Sequence, residues 1–143
     1  MHVATIGYEQ QTLSDVIGRL KKAKVSMVLD VRAVAASRRP GFSKSMLAAT
    51  LAEHGIDYVH LRQLGTPKEG RLAARAGRTA EMHTIFERHL QEPVAQLELA
   101  RAADLAKKHR VALLCYEADA AHCHRAIVAA RLRERLGCTI VDL

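Results

Sequence analysis

The sequence predicts a three-layer α/β domain, in which a mainly parallel sheet of about five strands carries helices on both faces. Short apolar runs alternate along the chain with longer segments whose apolar residues recur at helical spacing. The length of 143 residues fits one domain, spanning 1–143, that can bury a single core. A content of 49% hydrophobic and 26% charged residues is typical of a globular protein rather than a disordered or fibrous one.

The first third of the chain predicts two strand–helix units. Residues 3–7 form an apolar run that ends at a glycine, and a helix capped by Thr12 or Ser14 follows. Residues 25–31 are apolar and β-branched around one aspartate, as in a strand buried on both faces. A helix over 43–53, preceded by a Pro-Gly turn, completes the second unit.

The remaining chain continues the alternation. Residues 56–61 predict a third strand, and 62–79, with three glycines and a proline, predict a long exposed excursion. Helices are then expected over 82–90, 94–108 and 121–136, a fourth strand over 111–116 and a last one over 138–143.

Polar residues follow four of these strands, at 7–9, 30–32, 60–62 and 115–117. Parallel strands end at the same rim of their sheet, where such sheets bind ligands. We therefore expect these residues to meet at one site.

The segment around Cys115 and Cys123 predicts thiol chemistry. Cys123 stands beside His124 and Arg125 at an expected helix start, where unpaired N–H groups bind anions and lower a thiol pKa. Both cysteines also suit a purely packed role as small apolar residues, and a redox pair is a further alternative. We expect no metal and no cofactor, because the Cys and His spacing fits no standard zinc motif and adjacent helical residues point apart.

Two carboxylates and several arginines complete the candidate site. Asp30 or Glu117 would act as acid or base, and Arg32 shares the face of Asp30. The guanidinium groups suit bidentate phosphate or carboxylate binding, although a salt bridge within the strand and a solvated turn are equally simple explanations. The arginines expected to bind substrate are Arg32, Arg38, Arg39 and Arg125.

The few aromatic residues lie close to strand ends. Tyr8 and Tyr116 are placed to stack on a base or to close a pocket. His60 is a further substrate contact, acid or base, with a hydrogen-bonded structural role as the alternative.

The charge of the chain favours acidic partners. A net charge of +7 and a pI near 9.7 suit a phosphate-bearing small molecule or nucleic acid, unless the basic residues only solvate helix faces. No apolar run approaches the roughly 20 residues that span a bilayer, and three cysteines make no disulfide framework, so we expect a cytoplasmic protein without a membrane partner. The sequence leaves the oligomeric state open.

An ordered set of motifs extends over nearly the whole chain, at 5–8, 30–32, 37–40, 42–44, 55–58, 60–61, 64–65, 115–117 and 123–125. Together these motifs resemble the domain of unknown function 488 family. The resemblance implies a compact α/β domain and carries no agreed reaction or substrate. Residues 30–32 are also similar to a segment of rhodanese-like sulfurtransferases, but in this chain the acidic residues after Cys115 would oppose an anionic persulfide.

These observations lead to one hypothesis and two rivals. The hypothesis is an enzyme pocket in which arginines hold a phosphate-bearing substrate and Cys123 or Cys115 is the nucleophile. The first rival is a non-catalytic module that binds nucleic acid or protein through residues 62–78. The second is a thiol redox protein that uses Cys115 and Cys123.

Overall fold

The computed structural model describes residues 1–143 and contains five strands. They are β1 (His2–Gly7), β2 (Met27–Asp30), β3 (Asp57–His60), β4 (Val111–Cys115) and β5 (Thr139–Asp142). All neighbouring pairs are parallel, in the order β3-β2-β4-β1-β5. The predicted fold class is confirmed.

Six helices connect and cover these strands. They are α1 (Leu13–Lys22), α2 (Lys44–Glu53), α3 (Lys68–Arg75), α4 (Thr79–Leu90), α5 (Pro93–Lys108) and α6 (Arg125–Leu136). The chain steps from β1 through β2 to β3 in one direction and returns through β4 to β5. Right-handed crossovers therefore place α1 and α2 on one face and α5 and α6 on the other. None of the helices is both long and apolar enough to cross a membrane.

Alternation along the central strand divides the core in two. Leu113 and Cys115 belong to the 21-residue core beneath α5 and α6, whereas Ala112 and Leu114 belong to the 14-residue core beneath α1 and α2. In β2, Val28 packs into the second core and Leu29 into the first. Asp30, two residues after Val28, therefore lies on the opposite face of the sheet from Cys115.

Two helix ends follow the signals in the sequence. Thr12 and Asp15 form a reciprocal capping box at the start of α1, which satisfies backbone N–H groups that the first helical turn leaves unpaired. Gly137 ends α6 with φ 65°, a left-handed conformation that glycine adopts without steric cost.

The prediction of a long exposed excursion over residues 62–79 is wrong. The segment folds as a 3₁₀ turn over Arg62–Leu64, the helix α3 and the start of α4. Its proline stands at the N-cap of α3, where a missing N–H costs nothing, and Gly77 (φ 78°) follows the helix. Gly70 lies inside α3 because a Cβ there would come within 2.1 Å of Thr66 Oγ1.

The last helix begins later than expected. Residues 121–136 were predicted as one helix, but a 3₁₀ turn over Ala120–His122 comes first and α6 starts at Arg125. Cys123 ends that turn in an extended conformation (φ −127°, ψ 145°), and His124 is the N-cap of α6. Both residues therefore precede the first turn of α6, so helical geometry does not set the directions of their side chains.

Candidate active site

A cavity of about 560 Å³ lies at the carboxyl ends of the strands. Its walls come from Glu9 after β1, residues 32–34 and Ala36 after β2, and residues 115–117 at the end of β4. Helices α3 and α4 add Arg71, Arg75 and Met82. Three of the four strand ends that the sequence grouped thus meet here, while His60 after β3 does not line the cavity.

Two thiols and one imidazole converge on this cavity. His124 Nδ1 lies 3.8 Å from the Sγ atoms of both Cys115 and Cys123. All three residues line the cavity wall, and each is no more than 5% exposed. Cys115 is brought there by the end of β4 and the other two by the turn before α6.

The second ring nitrogen of His124 fixes how the imidazole meets the thiols. Its Nε2 lies 2.7 Å from the carbonyl oxygen of Val31 at the end of β2, which can only accept a hydrogen bond. Nε2 therefore carries a proton and Nδ1 faces the two sulfur atoms as acceptor or, in the imidazolium, as donor. Phe86 covers the ring, with centroids 5.0 Å apart.

The cluster separates the pKa values of its two thiols. Burial opposes ionisation of Cys123, but hydrogen bonding from Cys115, together with His124 and the positive charge of Arg125, lowers the pKa of Cys123 well below its ordinary value. The same hydrogen bond and burial raise the pKa of Cys115. The charge of Cys123 raises the pKa of His124 despite burial. Both shifts favour a Cys123 thiolate beside a His124 imidazolium.

Glu117 adds a carboxyl group to the same wall. Its Oε2 lies 3.6 Å from Cys115 Sγ. Burial and then the charge of Cys123 raise the pKa of Glu117 to about 7. At neutral pH this side chain is therefore present both as a proton donor and as a base.

The Cys115, Cys123 and His124 donor atoms all lie within 4.8 Å of one another. The sequence argument that adjacent helical residues point apart is wrong, because Cys123 and His124 precede the helix. Two thiolates and an imidazole suit a soft divalent cation such as zinc. The absence of a metal stays a prediction, and metal analysis accompanies the tests below.

The loop that carries these groups is held from two sides. Arg125 is 1% exposed, and its Nη1 and Nη2 donate to the carbonyl oxygens of Glu117 and Ala118. On the other side, Gly7 at the end of β1 packs so closely that a Cβ would lie 1.8 Å from the carbonyl oxygen of Glu117. Arg125 therefore supports the cavity from behind and does not line it.

We expect Gly7→Ala to destabilise the fold by about 1–3 kcal/mol, because backbone must move to accept the methyl group. Gly18→Ala is the matched control, since Gly18 is an exposed position within α1 with no atom near its added Cβ. That change should stabilise by about 0.5–1 kcal/mol. Urea unfolding of both variants measures the difference, and equal effects would contradict the close approach at Gly7.

Asp30 and Arg32 form a closed ion pair within the protein. Arg32 donates from Nε to Asp30 Oδ1 at 2.9 Å and from Nη2 to Oδ2 at 2.7 Å, and Tyr58 donates its hydroxyl proton to Oδ2. Arg32 Nη1 donates to Tyr8 Oη at 3.1 Å and to the carbonyl oxygen of Phe42 at 2.8 Å. Asp30 is 0% exposed and does not line the cavity, whereas Arg32 reaches its edge.

The other predicted substrate contacts divide between the cavity and the protein frame. Tyr116, which is 42% exposed, lines the cavity. Tyr8 is buried and stacks on Phe42, with centroids 4.3 Å apart. Tyr8 lies outside the cavity lining, as do three further residues. Arg38 is exposed, Arg39 donates to the carbonyl oxygen of Gln11 at 2.6 Å, and His60 Nε2 lies 2.7 Å from the carbonyl oxygen of Arg32.

Sequence reasoning missed the residues that α3 and α4 contribute. Arg71 and Arg75 are four residues apart and share one face of α3, but the spacing carries meaning only once the segment is known to be helical. Met82 was placed in a helix, and nothing in the sequence indicated that this helix covers the thiols.

Fold and site together define a parallel three-layer α/β protein with a cysteine–histidine cavity at the carboxyl ends of its strands. The chain belongs to the family described as "Domain of unknown function DUF488", whose model matches residues 12–132. This confirms the resemblance carried by the motifs, and the matched region includes the whole thiol cluster. No curated protein and no solved structure shows a significant match to the chain.

Proposed function

We propose that this protein is a thiol-dependent enzyme that acts on a small anionic substrate, with Cys123 as its nucleophile. The observation that carries the proposal is the convergence of two thiols, one imidazole and one carboxyl group on a single cavity wall. A cavity of about 560 Å³ has the size of a small-molecule site. Buried structural cysteines do not require such an arrangement.

Each member of the cluster has a role that its contacts support. The His124 imidazolium, oriented by the Val31 carbonyl group, stabilises the Cys123 thiolate. Cys115 keeps its proton beside that thiolate, and its Sγ also lies within hydrogen-bonding distance of Glu117 Oε2, at 3.6 Å. Glu117 is the general acid and base in place of Asp30, whose carboxylate oxygens are already bound by Arg32 and Tyr58.

The reaction class that fits these roles is group transfer through a covalent thiol intermediate. The Cys123 thiolate attacks an electrophilic atom of the substrate and forms a bond to sulfur, while the leaving group departs with its electron pair and takes the proton of Glu117. The resulting carboxylate then removes a proton from water, which attacks the same atom and releases Cys123 as thiolate. Glu117 ends protonated, so the cycle is complete without an oxidant or reductant.

A thiol redox protein is the second candidate, because the Cys115 and Cys123 sulfur atoms lie within 4.8 Å of each other. A disulfide would need only a small approach of the two side chains. The serine variant of Cys115 separates the two functions. It abolishes reversible disulfide formation but leaves the Cys123 nucleophile in place.

The first test is the rate of alkylation of each cysteine in the reduced, folded protein, followed by peptide mass spectrometry. We expect Cys123 to react more than tenfold faster than Cys138 at neutral pH, because the pKa of Cys123 is lowered and this residue lines the cavity. Cys138 is the matched internal control, being buried at 4% exposure and outside the cavity.

Metal analysis and a chelator accompany this experiment. Equal, slow reaction of Cys123 and Cys138 in metal-free protein would overturn the proposed nucleophile. Reaction of Cys123 that appears only after chelation would instead identify the donors as a metal site. A disulfide formed under mild oxidation, lost in Cys115→Ser, would favour the redox function.

A further inference from the structure

Three of the four arginines expected from the sequence to hold the substrate are already bound to the protein, and the fourth, Arg38, lies outside the cavity. Arg32 is engaged by Asp30, Tyr8 and the Phe42 carbonyl group. Arg125 donates to two loop carbonyl groups and Arg39 to a third. Anion recognition in the cavity must therefore come from other cations.

Helix α3 supplies two cations that the protein does not neutralise. Arg71 and Arg75 both line the cavity, and neither lies within 4.0 Å of a carboxylate oxygen. Arg71 Nη1 donates to the Thr66 carbonyl oxygen at 3.0 Å, which orients its guanidinium group and leaves its other donors free. Arg75 is exposed, and its side chain makes no hydrogen bond within the protein.

The same wall contains an unpaired buried hydroxyl group. Thr66 is 5% exposed and lines the cavity, yet its Oγ1 has no hydrogen-bond partner. A buried polar group without a partner is unfavourable, so rotation of the Thr66 side chain toward a ligand oxygen would give this hydroxyl group the acceptor that it lacks. Gly70 leaves the space that this hydroxyl occupies.

We propose that Arg71, Arg75 and Thr66 form the recognition wall for the phosphate group of a small phosphate monoester. Two guanidinium groups and one hydroxyl group match the three terminal oxygens of such a dianion, whereas a carboxylate has only two. The body of the molecule lies against the apolar side chains of Ala33, Val34 and Met82, which line the rest of the cavity. This inference rests on the proposed function, because it names the substrate class placed beside Cys123.

Measuring ligand binding to the reduced protein tests the proposed recognition wall directly. The probes are ribose 5-phosphate, adenosine monophosphate, inorganic phosphate and a single-stranded oligonucleotide. Their binding is measured by thermal shift and by titration calorimetry. We expect at least one monoester to bind, and Arg75→Gln and Arg71→Gln each to weaken it about tenfold or more, which corresponds to about 1.4 kcal/mol. Arg75→Lys should retain part of the affinity because it keeps the charge.

Arg101→Gln is the matched control, since Arg101 is an exposed arginine of α5 outside the cavity and its loss changes the net charge equally. It should leave monoester binding unchanged. Monoester binding that persists unchanged in the Arg71→Gln/Arg75→Gln double variant would overturn the proposed recognition wall. Stabilisation by the oligonucleotide alone, or by inorganic phosphate with no ester bound, would overturn it as well.

Cys123→Ser separates this inference from the proposed function. A monoester that binds wild type and Cys123→Ser alike supports the wall, even where alkylation shows that Cys123 is unreactive and the proposed function fails. A reactive Cys123 in a protein that binds no monoester would overturn the proposed recognition wall and would leave the proposed thiol function unaffected.

Discussion

Asp30→Asn is expected to destabilise the protein by about 3–5 kcal/mol, because it leaves the buried Arg32 guanidinium without its counter-charge. The asparagine keeps the size of the side chain, so the loss reports charge and hydrogen bonding rather than a cavity. Four donors converge on the Asp30 carboxylate, namely the backbone N–H, Nε and Nη2 of Arg32 and the Tyr58 hydroxyl group. An amide cannot accept all of them at the same positions.

Urea unfolding of wild type and variant measures this loss, with Tyr58→Phe as the control. Tyr58→Phe removes one hydrogen bond to a charged group and should cost only about 1.5–3 kcal/mol. A stability of Asp30→Asn within about 1 kcal/mol of wild type would show that the pair is not structural. Loss of catalysis without loss of stability would return Asp30 to the role of acid or base that the sequence first suggested.

The separation of Asp30 from the thiols is a consequence of strand alternation. The sequence correctly predicted that both groups stand at the carboxyl ends of parallel strands. The face of the sheet on which each group lies depends on which core its strand residue enters. Strands that are buried on both faces show no apolar alternation, so their sequence does not indicate the face. Val28 and Leu113 enter different cores, so Asp30 and Cys115 look in opposite directions.

The wall formed by α3 was not predictable for a different reason. Its glycines and proline are strong turn signals, yet each has a specific place in or beside a helix. Gly70 is required by contact with Thr66, a tertiary constraint that local propensity does not contain. Arg71 and Arg75 could therefore be recognised as cavity residues only after the fold was known.

The thiol cluster itself was largely predicted from its residues. Cys115, Glu117, Cys123 and His124 were all named, and all line the cavity. The start of α6 was misplaced, because an alanine-rich segment before Arg125 has high helix propensity. The predicted start at residue 121 and the observed start at Arg125 differ by four residues, and this difference decides whether Cys123 and His124 diverge or converge.

His124→Gln is expected to move the pH profile of Cys123 alkylation to higher pH and to slow the reaction at neutral pH more than tenfold. In the wild type the imidazolium lowers the pKa of Cys123, so the thiolate persists as the pH falls through the neutral range. Without that charge, only the hydrogen bond from Cys115 and the charge of Arg125 oppose the effect of burial, so the pKa of Cys123 rises and the thiol holds its proton until higher pH. Glu117→Gln should act in the opposite direction, since its carboxylate opposes the thiolate charge once the pH exceeds about 7. Superimposable profiles for wild type and His124→Gln would mean that the imidazole does not activate Cys123, whereas opposite shifts in the two variants would show that both groups act electrostatically on one sulfur atom.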